Sequence, residues 1–172
     1  FSVVRYGNVM GSRGSIIPFF LKLLSEGKTK FPITHQEMTR FMISLEQGVE
    51  LVWNAFDTSV GGEIYIKKIP SMNVLDIAKA INPDATINYI GIRPGEKIHE
   101  QMIGKEDAHF TYEYDDYYKI LPNINNWYLD TNRIQNGKKV GQDFSYSSEN
   151  NKEWLSIDQL KSFIKKLDIK DM

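Results

Sequence analysis

Phe1-Ser2-Val3-Val4-Arg5-Tyr6, then Gly7-Asn8-Val9-Met10-Gly11-Ser12-Arg13-Gly14, then an apolar run from Ser15 to Glu26, together decide the fold class. The first block is β-rich and apolar, the second is a glycine-rich loop, and the third is apolar nearly all round, which predicts a buried helix. Gly27 is a natural stop just past that helix. A strand, glycine loop and helix in this order have the layout of a phosphate cradle, where helix N-terminal amides meet an anion. The spacing of Gly7, Gly11 and Gly14 differs from dinucleotide-binding fingerprints. Nor does an acidic residue end a second strand about 20 residues on, where a ribose partner belongs. The favoured reading is therefore a loop that lets backbone approach some ligand closely. The opening residues read as a strand entered in its middle, so the chain is expected to be a piece of something longer.

Working outward, Lys30 to Thr34 reads as a short extended stretch, and Ser44 to Phe56 as a second helix. Leu45, Val49, Val52, Trp53 and Phe56 share one face of that helix at helical spacing. Gly61-Gly62 turns the chain into Glu63-Ile64-Tyr65-Ile66, an alternating strand. Asn73 to Ile81 is a third helix, with Asn73 as its N-cap and Asp76 completing a capping pair. Thr86 to Ile90 returns as a strand, and the turn Arg93-Pro94-Gly95-Glu96 is expected to feed a helix from Lys97 to about Ile103. Ala108 to Ile120 reads as extended, and Gly137 to Asn151 as loop. Ser156 with Gln159 forms a capping box, and Leu155 with Leu160 a hydrophobic staple, at the start of a last helix. Strands alternating with helices indicate an α/β fold.

The 172 residues are enough for a domain with a real core, and the formal net charge of -1 argues against a polyanion as the main partner. No nucleic-acid role is expected. Without cysteine there are neither disulfides nor thiolate metal sites. The longest apolar run, Ile16 to Leu24, is interrupted by Pro18 and Lys22 and is far too short to span a bilayer. His35, His99 and His109 have no metal-ligand spacing, so no metal is expected, and each is read as exposed or as part of the core. The tyrosines from Tyr112 to Tyr118, with their acidic neighbours, read as an edge strand or oligomer contact in preference to a sugar-stacking or metal site. Arg40, in an otherwise apolar segment before a helix, and Arg93, in its tight turn, have two readings. They form either a clamp on a diphosphate, which guanidinium geometry suits, or two structural ion pairs. Glu96 beside them is placed to accept from ribose hydroxyls. Spacing alone leaves both readings open.

Three blocks settle which readings to prefer. Arg5 through Ser15 with Pro18, Met38-Thr39-Arg40-Phe41, and Gly91-Ile92-Arg93-Pro94-Gly95-Glu96-Lys97 resemble the second half of UDP-N-acetylglucosamine 4,6-dehydratases of the extended short-chain dehydrogenase type. Gly91 through Glu100 and the Tyr112–Tyr118 stretch are most similar to the inverting enzymes of the pseudaminic acid pathway. The likeness runs from Phe1 to about Pro122 and is looser beyond. It implies an α/β fold that is the C-terminal part of a Rossmann-like extended short-chain dehydrogenase with its small substrate-binding domain. Residues 1–122 would be the end of the sheet plus the substrate region, and 123–172 a C-terminal extension ending in a helix.

The resemblance also implies the site. Tyr6 and Gly7 would lie beside the nicotinamide of NADP, which is bound mainly by a half upstream. Asn8 would meet the sugar-nucleotide phosphates, and Pro32, Ile33 and Thr34 the uracil. Arg40 and Arg93 would grip the diphosphate, Glu96 the ribose, and Met42 would lie beside the nucleotide. The family's Tyr-x-x-x-Lys pair is absent: none of the nine tyrosines has a lysine four residues on. No catalytic residue is therefore assigned, and the fragment alone is expected to be inactive. The implied parent is a cytoplasmic homo-oligomeric lyase that feeds surface-polysaccharide or flagellin-glycan synthesis from UDP-N-acetylglucosamine. The rivals are a UDP-sugar epimerase or another sugar dehydratase, and a non-catalytic sugar-nucleotide binding module.

Overall fold

The computed structural model describes residues 1–167 and has an α/β fold with a mixed sheet. It divides into two compact units, each assembled from three stretches of sequence. The first takes 1–7, 43–69 and 101–147, and the second takes 8–42, 70–100 and the described residues from 148 on. Residues 123–147 thus belong to the first unit and 148–167 to the second, so this division does not follow Pro122.

In the first unit, Val3–Arg5 pairs in parallel with Ile64–Lys67, which then takes Tyr117–Ile120 as an antiparallel neighbour. Thr111–Glu113 and Lys138–Lys139 complete the five strands. The stretch expected to be extended from Ala108 opens instead with a 3-10 turn, Lys105–Phe110, before forming a hairpin. Thr111–Glu113 is flanked on both sides, so the tyrosines expected on an edge strand lie on interior strands. Tyr112, Tyr114 and Leu121 are buried together, with Tyr114 and Tyr117 stacked 4.5 Å apart.

One expectation fails here. Residues 97–103 form no helix: Gln101–Ile103 is a strand paired with Tyr146–Ser147, inside a stretch read as loop. Good helix formers yield to a strand partner more than forty residues away, which no local rule sees. The helix Leu45–Thr58 forms as read. It is capped by a Ser44–Gln47 capping box, but it buries Gly48, Leu51 and Ala55, with Leu51 and Ala55 packed on Tyr65 and Val4. The apolar stripe is exposed, Trp53 at 61% and Phe56 at 75%. Small residues let the opposite face approach the strands, and periodicity gives a stripe without its direction.

The second unit places helices Ile16–Ser25, Val74–Ile81 and Ile157–Ile164 around one apolar core. Phe20 and Phe31 stack at 4.7 Å within it, beside Ile33, Met72, Ile77 and Leu160. The first of these helices is buried through Ile17 and Phe20, while Phe19 stands out at its surface. Gly27 has φ +73, the left-handed conformation a helix stop requires. Asn73 caps Val74–Ile81 by accepting from the Leu75 N–H, and the Ser156–Gln159 capping box forms as the sequence predicts. Strands Asn8–Val9, Thr39–Ile43 and Ser71–Asn73 form one sheet, and Lys30–Ile33 runs parallel to Thr86–Tyr89 in another. Gly11, at φ +74, faces Leu167 so closely that a Cβ would meet its Cδ2 at 2.6 Å. That glycine serves backbone approach to the chain's own end segment.

Candidate functional site

A cavity of about 390 Å³ opens in the second unit, within the size range of small-molecule sites. Its floor and rim come from four places. The strand Asn8–Val9 brings Asn8, the strand Lys30–Ile33 and its exit bring Pro32, Ile33 and Thr34, the strand Thr39–Ile43 brings Arg40, and the turn after Ile90 brings Arg93 and Glu96. Seven of the eight residues expected to bind the sugar nucleotide therefore share one cavity. Met42 does not line it: the side chain is 2% exposed and packed in the apolar core. Two residues apart on one strand, Arg40 and Met42 share a face, but Met42 is covered by the core cluster. Tyr6 and Gly7 belong to the first unit, just past the end of the strand Val3–Arg5.

The two arginines are held differently. Arg40 is 14% exposed, and its Nη1 donates to the carbonyls of Thr39 and Ile98 at 2.7 and 2.9 Å. Its Nη2 donates to the Lys97 carbonyl at 3.0 Å. Glu100 and Glu96 flank it at 3.6 and 3.9 Å. The Arg93 side chain is exposed and has no hydrogen bond or ion pair among the described residues. Its backbone N–H donates to the Glu96 carboxylate at 3.2 Å, and the Glu96 N–H returns to the Arg93 carbonyl at 3.0 Å. Gly95, at φ +80, closes this turn in a conformation that favours glycine.

Sequence reasoning missed three further features. Ser15 is the N-cap of Ile16–Ser25 and lines the cavity, yet its buried hydroxyl has no partner among the described residues. A helix N-terminus with an unused hydroxyl is a natural seat for an anion. Phe19 and Ile90 add apolar wall, with Ile90 beside Ile33, whose carbonyl accepts the Ile90 N–H at 2.9 Å. The run Ile16–Leu24 hides Phe19, because an all-apolar helix carries no mark of which ring faces out. Glu100 does not line the cavity but stands behind it. Its carboxylate accepts from the Phe41 N–H at 3.1 Å. The Asn8 amide, with its nitrogen turned toward Glu100, donates to both carboxylate oxygens at 2.8 and 3.1 Å. Burial pushes the Glu100 carboxyl above its ordinary value, against the opposing pull of the Phe41 N–H and Arg40.

His99 lies outside the cavity, bridging the Thr39 hydroxyl at 2.7 Å and Glu149 at 3.2 Å. Among the described residues no group of three or more His, Asp or Glu is placed to hold a metal, and no helix is long and apolar enough to cross a membrane.

Comparison with known proteins places this geometry in a family. The chain is 50% identical over 171 residues to the inverting UDP-N-acetylglucosamine 4,6-dehydratase of Campylobacter jejuni, with 95% of this chain and 51% of that protein covered. It is 36% identical over 170 residues to a UDP-glucose 4-epimerase of Rickettsia rickettsii, covering 96% of this chain and 49% of the relative. The chain thus spans about half the length of the curated relatives it matches. The X-ray structure of Pen from Bacillus thuringiensis matches it with a TM-score of 0.81 at 29% identity, over 98% of this chain and 49% of that one. Residues 1–122 match the sequence model of the polysaccharide biosynthesis protein family, and the chain belongs to that family.

Proposed function

We propose that this chain is the substrate-gripping half of an NADP-dependent dehydratase that converts UDP-N-acetylglucosamine to a 4-keto-6-deoxy sugar with inversion at C5. One observation carries the reading: Asn8, Arg40, Arg93 and the unpartnered Ser15 hydroxyl converge on a cavity whose other wall is apolar. A uridine diphosphate needs such a two-sided site. The uracil lies against Pro32, Ile33 and Thr34, the ribose hydroxyls reach Glu96, and the diphosphate takes the guanidinium and helix-end donors. The names of the Campylobacter relatives support the choice of sugar nucleotide.

The cofactor meets this chain at Tyr6 and Gly7. Val3–Arg5 and Ile64–Lys67 are parallel, so these residues leave the pair at its carboxyl end, where α/β sheets bind ligands, and Tyr6 is exposed there. When bound, NADP supplies the acceptor and donor of a hydride. This chain contributes binding and orientation of the sugar nucleotide, and the acid–base groups belong to sequence outside it. The intact protein is read as a cytoplasmic homo-oligomer in surface-glycan or flagellin-glycan synthesis.

The test is mass spectrometry of the full-length protein incubated with UDP-N-acetylglucosamine. Loss of one water supports the dehydratase, and NMR of the product then reports the configuration at C5. A second reading, an epimerase, is favoured by the Rickettsia relatives. It predicts no loss of water, with inversion at C4 of UDP-glucose instead. Failure to bind any UDP-sugar would overturn both.

A further inference from the structure

We infer that Glu100 is the positioning residue of this cavity: from behind its wall, one carboxylate holds the Asn8 amide and the Arg40 guanidinium in place for a diphosphate. The inference rests on the reading of the cavity as a sugar-nucleotide site. Three donors from two strands converge on Glu100. They are the Asn8 amide at 2.8 and 3.1 Å, the Phe41 N–H at 3.1 Å, and Arg40 Nε at 3.6 Å. Asn8 and Arg40 line the cavity, and Glu100 does not. Glu100 is itself fixed at both backbone ends by Ser148: its N–H donates to the Ser148 hydroxyl at 2.9 Å, and its carbonyl accepts the Ser148 N–H at 2.8 Å.

A carboxylate behind an anion site opposes the ligand's charge, so its presence calls for an offsetting gain. Without Glu100, neither the Asn8 amide nitrogen nor the Arg40 Nε has a partner among the described residues, although the Arg40 Nη atoms keep their carbonyls. With it, both are oriented before the ligand arrives, which lowers the ordering cost of binding. Partial burial of the charge costs stability at neutral pH, so the group is not explained by the fold alone. The charged groups facing it are Arg40 directly and Glu96 across that guanidinium.

The experiment measures UDP and uridine affinity in the full-length protein as wild type, Glu100→Gln, Asn8→Ala and the double variant. Glutamine offers a single acceptor where three donors converge, and turns a donor toward Arg40. UDP affinity should fall roughly tenfold in Glu100→Gln, the scale of one charge-assisted hydrogen bond. Uridine affinity should stay within about twofold. The double variant should lose less than the sum of the two single losses, because Glu100 and Asn8 share a contact. Unchanged or tighter UDP binding in Glu100→Gln would overturn the role, as would equal weakening for UDP and uridine, which marks a general loss of structure. Wild-type protein that binds neither probe would overturn the cavity reading itself, and the role with it.

Discussion

Arg133 and Arg40 are both guanidiniums beside carboxylates, and the contrast between them separates a structural cluster from a binding one. Arg133, in the first unit, donates at 2.7 Å to both Glu63 and the Gly61 carbonyl and stacks 4.1 Å over Trp127. Glu63 takes further N–H donors from Val60 and Gly61 and the Ser2 hydroxyl, and the pair is 6% and 1% exposed. Lys119 adds its Nζ to the Arg133 carbonyl at 3.0 Å. The Arg133 Nε, 3.5 Å from Asp130, has no hydrogen bond among the described residues but is buried. Arg40, in the second unit, is held chiefly by carbonyls, with its carboxylates at 3.6 and 3.9 Å and a cavity beside it. A short pair this deep in protein is out of a ligand's reach, whereas a loosely flanked guanidinium on a cavity is not.

The sharpest way to break the comparison is to remove one partner from each cluster. Arg133→Ala leaves Glu63 charged and buried, and should cost about 3–5 kcal/mol in chemical denaturation. Arg40→Ala should weaken UDP by about 1.5–3 kcal/mol and also lower stability, since three carbonyls lose a donor. Arg93→Ala should weaken UDP at the lower end of that range, while stability stays within about 0.5 kcal/mol, because its exposed side chain has no hydrogen bond or ion pair among the described residues. Calorimetric titration with UDP, run beside denaturant melts, reads all three. Equal stability losses for Arg40 and Arg93 would erase the distinction.

Smaller effects come from pH. Burial alone would raise the Glu63 carboxyl, but the N–H groups of Glu63, Gly61 and Val60 and the Ser2 hydroxyl together hold it below its ordinary 4.5. Its contribution to stability is therefore present above that value and lost as pH falls through the folded one. Glu100 has the opposite sign. Raised by burial, it favours the fold below 4.5 and loses that contribution as pH rises through its folded value. Glu63→Gln should melt lower than wild type at neutral pH, and Glu100→Gln no lower, by thermal denaturation across pH 3 to 7. A lower melt for Glu100→Gln would make that carboxylate a stabilising group like Glu63.

What the sequence made legible follows the reach of each rule. Gly27, Asn73 and the Ser156–Gln159 box act within a turn of helix, and each is where local reasoning puts it. The stripe from Leu45 to Phe56 was legible as a stripe, but its direction depends on Gly48 and Ala55 meeting strands far along the chain. Residues 97–103 mislead for the same reason, since Tyr146–Ser147 supplies the strand partner. In the site, the arginines stood at even choice between clamp and ion pair until the family resemblance weighed in. Ser15, Phe19 and Glu100 gave no signal: an unpartnered hydroxyl, an outward ring and a supporting carboxylate are properties of the packed chain. Glu100 closes the very motif that carries Arg93 and Glu96, so position alone was in view and role was not.

The interleaving of the two units bears on how the protein assembles. Val3–Arg5 must wait for Ile64–Lys67, and that strand for Tyr117–Ile120, while the core around Phe20 is completed by Leu160. Neither unit exists as a contiguous stretch, so no single cut releases one of them whole. Contacts of such sequence separation slow folding. Until Leu160 emerges from the ribosome, the Ile17–Phe20 surface stays uncovered on that side, and chaperone dependence should track that delay.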